Sequence, residues 1–399
     1  MASLHSGRLD SSSDGARGAR RAPPTKKPSA QASWPRIDAR RGRLDKPVGA
    51  EAQANAAGAM PRPGVKWGMA KQKKFGDGEL QLIQIIEAGD ARMLRLALDA
   101  GADPLAMPAE AHGHSALMRA AYLGHESCVR EIISRGGSES RNGAGNTTLS
   151  IAAQSPSAGA WNCIKVLIES GRDPLEKTDR GETPLMWACG ANPEGGEAIA
   201  LELARWGGAS EPSLDGETCL MWAAQQEGHE WAMELLARAG ANPLAAEHRE
   251  GLTALMMACG RGLDKAAQAL LEAFPEERAK MARQRSADGT IALMAAAQAD
   301  AEECARLMLP WSDLEARDQY GNTALHYAGH WPVGRLLLEA GADILAKNNH
   351  GETPLGLICT WGSAEAISEM SAREQSAMLA KGLAEAIGPQ PSRRKTSSL

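Results

Sequence analysis

The side chains able to do chemistry are few, and most lack companions. His125 and Cys128 stand three residues apart, a spacing that could offer two ligands to a metal. The competing reading gives His125 to a loop and Cys128 to a helix core. The chain has no phosphate-binding glycine loop, no Cys-x-x-Cys pair and no nucleophile elbow. Carboxylates are plentiful, but none stands with a recognisable nucleophile or base. No catalytic residue, metal site or cofactor is therefore assigned, and the chain reads as a non-enzyme. The residues left for function are those suited to binding, above all Trp331 and Trp361.

Composition narrows the classes further. Seven Cys in 399 residues are too sparse for a disulfide scaffold, and their number is odd. No run approaches the ~20 apolar residues of a membrane helix. Trp, at 10, outnumbers Tyr (3) and Phe (2) together, an unusual palette for a core. The net charge of -5 conceals a division. Residues 1–78 hold 16 Lys+Arg against 6 Asp+Glu, whereas 79–387 hold 25 against 43. The basic stretch is rich in Ser, Gly, Pro, Ala and Arg, and buries too little apolar area to offset the entropy of ordering, so it reads as a disordered arm. It has no apolar secretory core, and Asp10 and Asp14 speak against a transit peptide. Its clusters at Arg20-Arg21, Lys26-Lys27, Arg40-Arg41 and 71–74 suit a solvated arm, a nuclear address or a weak nucleic-acid contact.

The elements that must position these residues come from a repeat. Gly, then Thr or Ser two places on, then x-Leu, begins at Gly113, Gly145, Gly181, Gly216, Gly251, Gly321 and Gly351, and with its Thr displaced at Gly289. A small pair follows each Leu in turn, as in Ala120-Ala121, Ala188-Cys189 and Ala258-Cys259. A second apolar stretch at helical spacing, such as Val129-Ile132-Ile133, then ends in Gly. Thr183 and Thr353 can N-cap a short helix with Pro184 and Pro354 at its first position. The small pair lets helices approach closely, and the terminal Gly supplies a left-handed end.

This pattern resembles the ankyrin repeat, whose unit reads Thr-Pro-Leu-His-x-Ala-Ala, then Gly-His, then an apolar helix and Gly-Ala-Asp. Gly124-His125 and Gly228-His229 resemble its central Gly-His, and His326 its motif His. The resemblance implies an all-α solenoid of about nine stacked helix pairs with short β-hairpin or turn fingers along one edge. The chain departs from it where Met118, Met186, Met221, Met256 and Met294 replace the motif His. That His ties neighbouring loops by hydrogen bonds in the family; Met can only pack, so a greasier seam is expected. In this register Cys189, Cys259 and Cys359 take the second small position, and are expected to be buried and reduced in an intracellular protein, cytoplasmic or nuclear. Residues 275–285 enlarge one connection, as an extra helical turn or a functional loop.

A solenoid presents the same position of every unit along one face. The positions after the small pair supply Tyr122, Leu123, Gln225, Gln226, Arg261, Trp331 and Trp361 as partner-binding candidates; Tyr327 is added from the register one place after the motif His. Trp331 and Trp361 share a register and suit anchoring, or packing against a C-terminal helix. Trp187 and Trp222 share another, better suited to packing between units. The expected layout is a basic arm over 1–78, the array over 79–370, a C-terminal helix over 371–387 as candidate cap, and a basic tail over 388–399. The expected function is a protein–protein adaptor that docks a basic or apolar segment on a concave acidic face. The alternatives are a nucleic-acid-associated regulator using the arm, and a regulatory or targeting subunit of an enzyme. Arg393-Arg394-x-Thr396 resembles a basophilic kinase site, and Ser397-x-Leu399 a C-terminal ligand of PDZ domains.

Overall fold

The Gly-x-Thr-x-Leu heads become short capped helices. In the computed structural model of the chain, described over residues 77–103, 113–137, 141–190, 193–359 and 362–387, the helices run in pairs. They are α1 (Asp77–Glu87) with α2 (Ala91–Asp99), α3 (Ala116–Leu123) with α4 (Glu126–Ser134), and α5 (Thr148–Ala153) with α6 (Ala160–Glu169). Next come α7 (Pro184–Cys189) with α8 (Pro193–Ala204), α9 (Cys219–Ala223) with α10 (Trp231–Arg238), and α11 (Ala254–Gly260) with α12 (Asp264–Ala273). An added α13 (Arg278–Arg283) precedes α14 (Ala292–Gln298) with α15 (Glu302–Met308). The series closes with α16 (Ala324–Tyr327) and α17 (Trp331–Glu339), then α18 (Pro354–Ile358) and α19 (Ala364–Ile387).

Local chemistry starts each unit. Thr183 Oγ1 accepts from the Met186 N–H at 3.3 Å, and Thr253 Oγ1 from that of Met256 at 3.3 Å. Where the Thr is displaced, Ile291 holds the cap position of α14 and makes no side-chain cap bond. The first helices are too short to be stable alone, so tertiary burial holds them. Every residue of α7 is buried, and the small pairs Ala120-Ala121, Ala188-Cys189 and Ala258-Cys259 are fully inaccessible. All five Met at the motif position are at most 1% exposed, which makes the seam apolar as expected.

The fingers are turns rather than hairpins. The described residues contain no strand, only an isolated bridge between Ala246 and Thr253. Side chains brace the turns: Asn142, Asp318 and Asn348 each accept, through Oδ1, the N–H groups two and four residues on, at 2.8–3.0 Å. Each finger then reaches the next through one backbone hydrogen bond. Asp179 donates to Gly145 at 3.0 Å, Leu214 to Arg180 at 2.8 Å, His248 to Asp215 at 2.7 Å and Ala287 to Glu250 at 2.7 Å. Gln319 continues to Asp288 at 2.7 Å and Asn349 to Tyr320 at 2.9 Å. One bond per junction is too few to make a strand.

The 275–285 insertion is helical. Its Met281 and Ala282 are buried and its Arg278 Nε donates to the Leu271 carbonyl at 2.6 Å, so α13 extends the core. At the far end α19 runs unbroken through the expected junction at 370/371. Ala366 and Met370 bury against the array, while Met378, Leu379 and Leu383 are exposed. The readings made for residues 1–76 and 388–399 lie outside the described residues.

The Gly heading each finger has positive φ, +78° at both Gly181 and Gly351. A Cβ on Gly181 would come within 2.9 Å of the Leu214 backbone nitrogen, whereas one on Gly351 would meet nothing within 4 Å. Gly351→Ala should therefore cost only the left-handed penalty, about 1–2 kcal/mol. Gly181→Ala should cost about 1–3 kcal/mol more, from the clash. Urea unfolding of the full chain, followed by Trp fluorescence, checks this; equal losses would refute the close-approach argument.

Candidate functional site

First helices pack on first helices and fingers bond to fingers from unit to unit, so each position recurs along the stack. Tyr122 and Leu123 close α3, half-buried, and their carbonyls accept Ser155 Oγ at 2.5 Å and Ser157 Oγ at 3.0 Å from the next unit. Gln225 and Arg261 come from neighbouring units and meet: Arg261 Nη2 donates to Gln225 Oε1 at 2.9 Å. Gln226 beside them is exposed. Tyr327 is half-buried; its hydroxyl donates to the Asp318 carboxylate and accepts from Asn322 Nδ2 at 3.2 Å. Burial first, then the Asp318 hydrogen bond, pushes that phenol's pKa up. Trp331 opens α17, half-buried, and the Arg373 guanidinium of α19 lies 5.2 Å from its ring centroid. One side of that indole is thus occupied by the C-terminal helix. Trp361 lies outside the described residues.

In three units the position one place after the motif Met or His makes a polar stitch, whereas Met257 and Ala295 hold it in two others. Arg119 pairs with Glu87, Trp222 Nε1 donates to Glu217 Oε2 at 3.1 Å, and Tyr327 reaches Asp318. Trp187 and Trp222 pack edge to face, 5.5 Å between centroids, so this pair serves packing between units. Gly190 makes room, since a Cβ there would lie 2.8 Å from the Trp222 ring. Below them sit two carboxylates that the sequence did not flag. Glu182 is buried and receives the Thr178 hydroxyl at 3.1 Å; Glu217 is half-buried. Burial raises both pKa values, outweighing the nearby Arg180 and Arg249 charges respectively.

Charge is divided unevenly among the elements. From α3 to α18 the first helices hold one Asp, Glu, Lys or Arg, namely Arg119. The carboxylates sit on the fingers and the second helices, so these first helices themselves carry none. Sequence reading also passed over two finger residues, Leu214 at 72% and Tyr320 at 50% exposure. The signal was available: an apolar and an aromatic residue stand where other fingers carry Asp179, Arg180, Arg249 or Glu250.

The remaining chemistry-bearing groups serve structure. His125 precedes α4, its ring against Gly89, while Cys128 is fully buried. Six cysteines are buried as thiols, and burial lifts the Cys163 pKa to about 12. Cys359 departs from expectation: it is exposed. It belongs to the last unit, where no further first helix stacks on it among the described residues. His326 makes the tie that Met cannot: Nδ1 accepts from the Thr323 N–H at 3.1 Å, and Nε2 lies 3.3 Å from the Glu352 carbonyl of the next finger. Burial lowers its pKa.

Repeated helix pairs, left-handed glycine turns and a continuous small-residue seam define a helix-pair solenoid. The family model for ankyrin repeats in three copies matches in overlapping windows from residue 82 to residue 348, and the chain belongs to the ankyrin-repeat family. It is 26% identical over 276 residues to the E3 ubiquitin-protein ligase KEG of Arabidopsis thaliana, covering 65% of this chain and 16% of that one. It is 32% identical over 156 residues to the B-cell lymphoma 3 protein homolog of Mus musculus, covering 37% of this chain and 34% of that one. The chain thus spans 16% and 34% of the length of these two relatives. Among solved structures, the human ASB11 ankyrin repeat domain aligns at 21% identity and TM-score 0.47, over 56% of this chain and 96% of that one. The Bcl-3 ankyrin repeat domain aligns at 22% identity and TM-score 0.46, over 57% and 99%. No helix among the described residues is long and apolar enough to cross a membrane.

The raised pKa of Glu182 has a signed consequence. Its protonated form is favoured in the fold, so its contribution is fully present below the unfolded value of about 4.3 and is lost as pH rises through the higher folded value. Glu182→Gln should raise the thermal midpoint at pH 7 and leave it unchanged near pH 4. A variant less stable at pH 7 would contradict the assigned burial penalty.

Proposed function

We propose that the chain is a scaffold that holds a partner protein segment across its finger tips and first-helix ends. Ankyrin repeats are generally non-catalytic protein–protein interaction modules, which is the coarse reading. The observation that carries the finer one is the set of exposed side chains beside first helices that hold no carboxylate: Leu214 and Tyr320 on fingers, Gln226 and Arg261 on helix ends. Such a mixture of apolar, aromatic and Arg groups on a rigid support suits an extended segment with apolar anchors. The fingers and second helices supply negative charge around those first helices, which favours and steers a segment that also carries basic residues. Tyr122, Leu123 and Gln225 extend the face toward its start, and Tyr327 and Trp331 toward its end, where Trp361 shares the Trp331 register in the sequence. Trp331 offers only its free side, since Arg373 takes the other. Buried thiols suit a reducing compartment, so the setting proposed is cytoplasmic or nuclear.

Co-purification of the full chain from its native cell tests the face. Leu214→Ser with Tyr320→Ser should weaken recovery of the partner by roughly 30-fold, as expected for about 2 kcal/mol at anchoring positions. Trp331→Ala with Trp361→Ala should weaken it further. Leu201→Ser on the second helix α8, also exposed, should leave it unchanged. Equal recovery in all three variants would remove this face from the function.

A further inference from the structure

The layer of second helices carries a groove the docking face does not use. It lies between α10 and α12, encloses about 700 Å³, and is floored by Ala237, Ala269 and Ala273. Glu230, Glu234 and Glu272 form its rim with Arg238. Glu234 is partly satisfied by Arg238 at 2.5 Å, and both are strongly exposed, so that pair is weak. Glu272 receives only the neutral Gln268 amide at 2.8 Å. An Ala floor under carboxylates suits the long aliphatic stems of Lys or Arg, with their charged heads at the rim.

The chain supplies a matching segment. Between Arg17 and Lys27 there are five cations, Arg17, Arg20, Arg21, Lys26 and Lys27, and no carboxylate. The reach is also suitable. Adjacent packed helices are about 8–10 Å apart, so the groove lies roughly 40 Å along the stack from α2. A coil of 50 residues, the separation of Lys27 from Asp77, has a root-mean-square span of roughly 39 Å. Tethered binding is most effective when these two lengths agree. The lysines at 71–74 are too near: the three to six residues between them and Asp77 extend at most about 11–22 Å. The basic cluster Arg36–Arg43 contains Asp38, which lowers its complementarity.

We propose that residues 17–27 fold back on the same chain and lie in the α10–α12 groove. The contact is an intramolecular, salt-sensitive clasp on the second-helix layer. It leaves the finger face open, so its failure and that of the docking face are separable.

Zero-length carbodiimide coupling of the full chain tests this, because Lys26 and Lys27 can form amides with the rim carboxylates. The expected result is preferential linkage of these lysines to Glu230, Glu234 or Glu272 over the exposed Glu169, Glu303 and Glu339. Mixing isotope-labelled with unlabelled chain should show the links to be within one molecule. Arg17→Ser with Arg20→Ser and Arg21→Ser keeps every reacting group and should lower the yield about tenfold, as should ~1 M salt. Links spread evenly over outer carboxylates, links between chains, no links, or a yield indifferent to the Arg variants and to salt would each overturn the proposal.

Discussion

The whole stack turns on the glycine that heads each finger. Its backbone is left-handed, which any other residue adopts at a cost, and its missing side chain admits the next finger's backbone. At Gly181, Gly216, Gly251 and Gly321 a Cβ would lie within 2.9 Å of a backbone nitrogen in the following finger. That nitrogen, or its equivalent, donates the one backbone hydrogen bond between consecutive fingers. Tight turn and close approach are thus one requirement met by one residue type. At Gly351 the second half disappears, because no further finger follows it among the described residues.

Once the fingers are registered, the remaining sequence choices have little freedom. A Thr cap starts a helix too short to stand alone, and small residues let it lie flush between neighbours. The five Met fill the seam where His326 alone keeps a polar link. The two arrangements differ in kind: packing is tolerant of small shifts, whereas the His326 bridge fixes a direction. Large aromatics have little space in units this thin, and Trp222 fits because its neighbour at 190 is Gly.

Nearly all of this architecture could be read from the sequence, because glycine spacing and small pairs are strictly local signals. What could not be read depended on what lies next to a unit. Cys359 has the same register as Cys189 and Cys259, but differs from them in lacking a successor. The fingers share their turn chemistry with hairpins, yet only their single ladder bond decides against strands. The stitch between Trp222 and Glu217 spans five residues within one unit, a separation that no simple helical period highlights. Counting charge over the array located its sign but not its side, since carboxylates on second helices and on fingers contribute alike to a sum.

The cysteines have a use that concerns observation rather than stability. Cys128, Cys163, Cys189, Cys219, Cys259 and Cys304 fall one to each of six consecutive units, and all are buried. A thiol reagent can reach each only when its own unit or the one packed on it opens. The chain therefore carries a built-in set of local clocks, one per layer, with Cys359 as a reference that runs from the start. The order in which the six respond would trace how opening spreads along the stack, without any label being engineered into it.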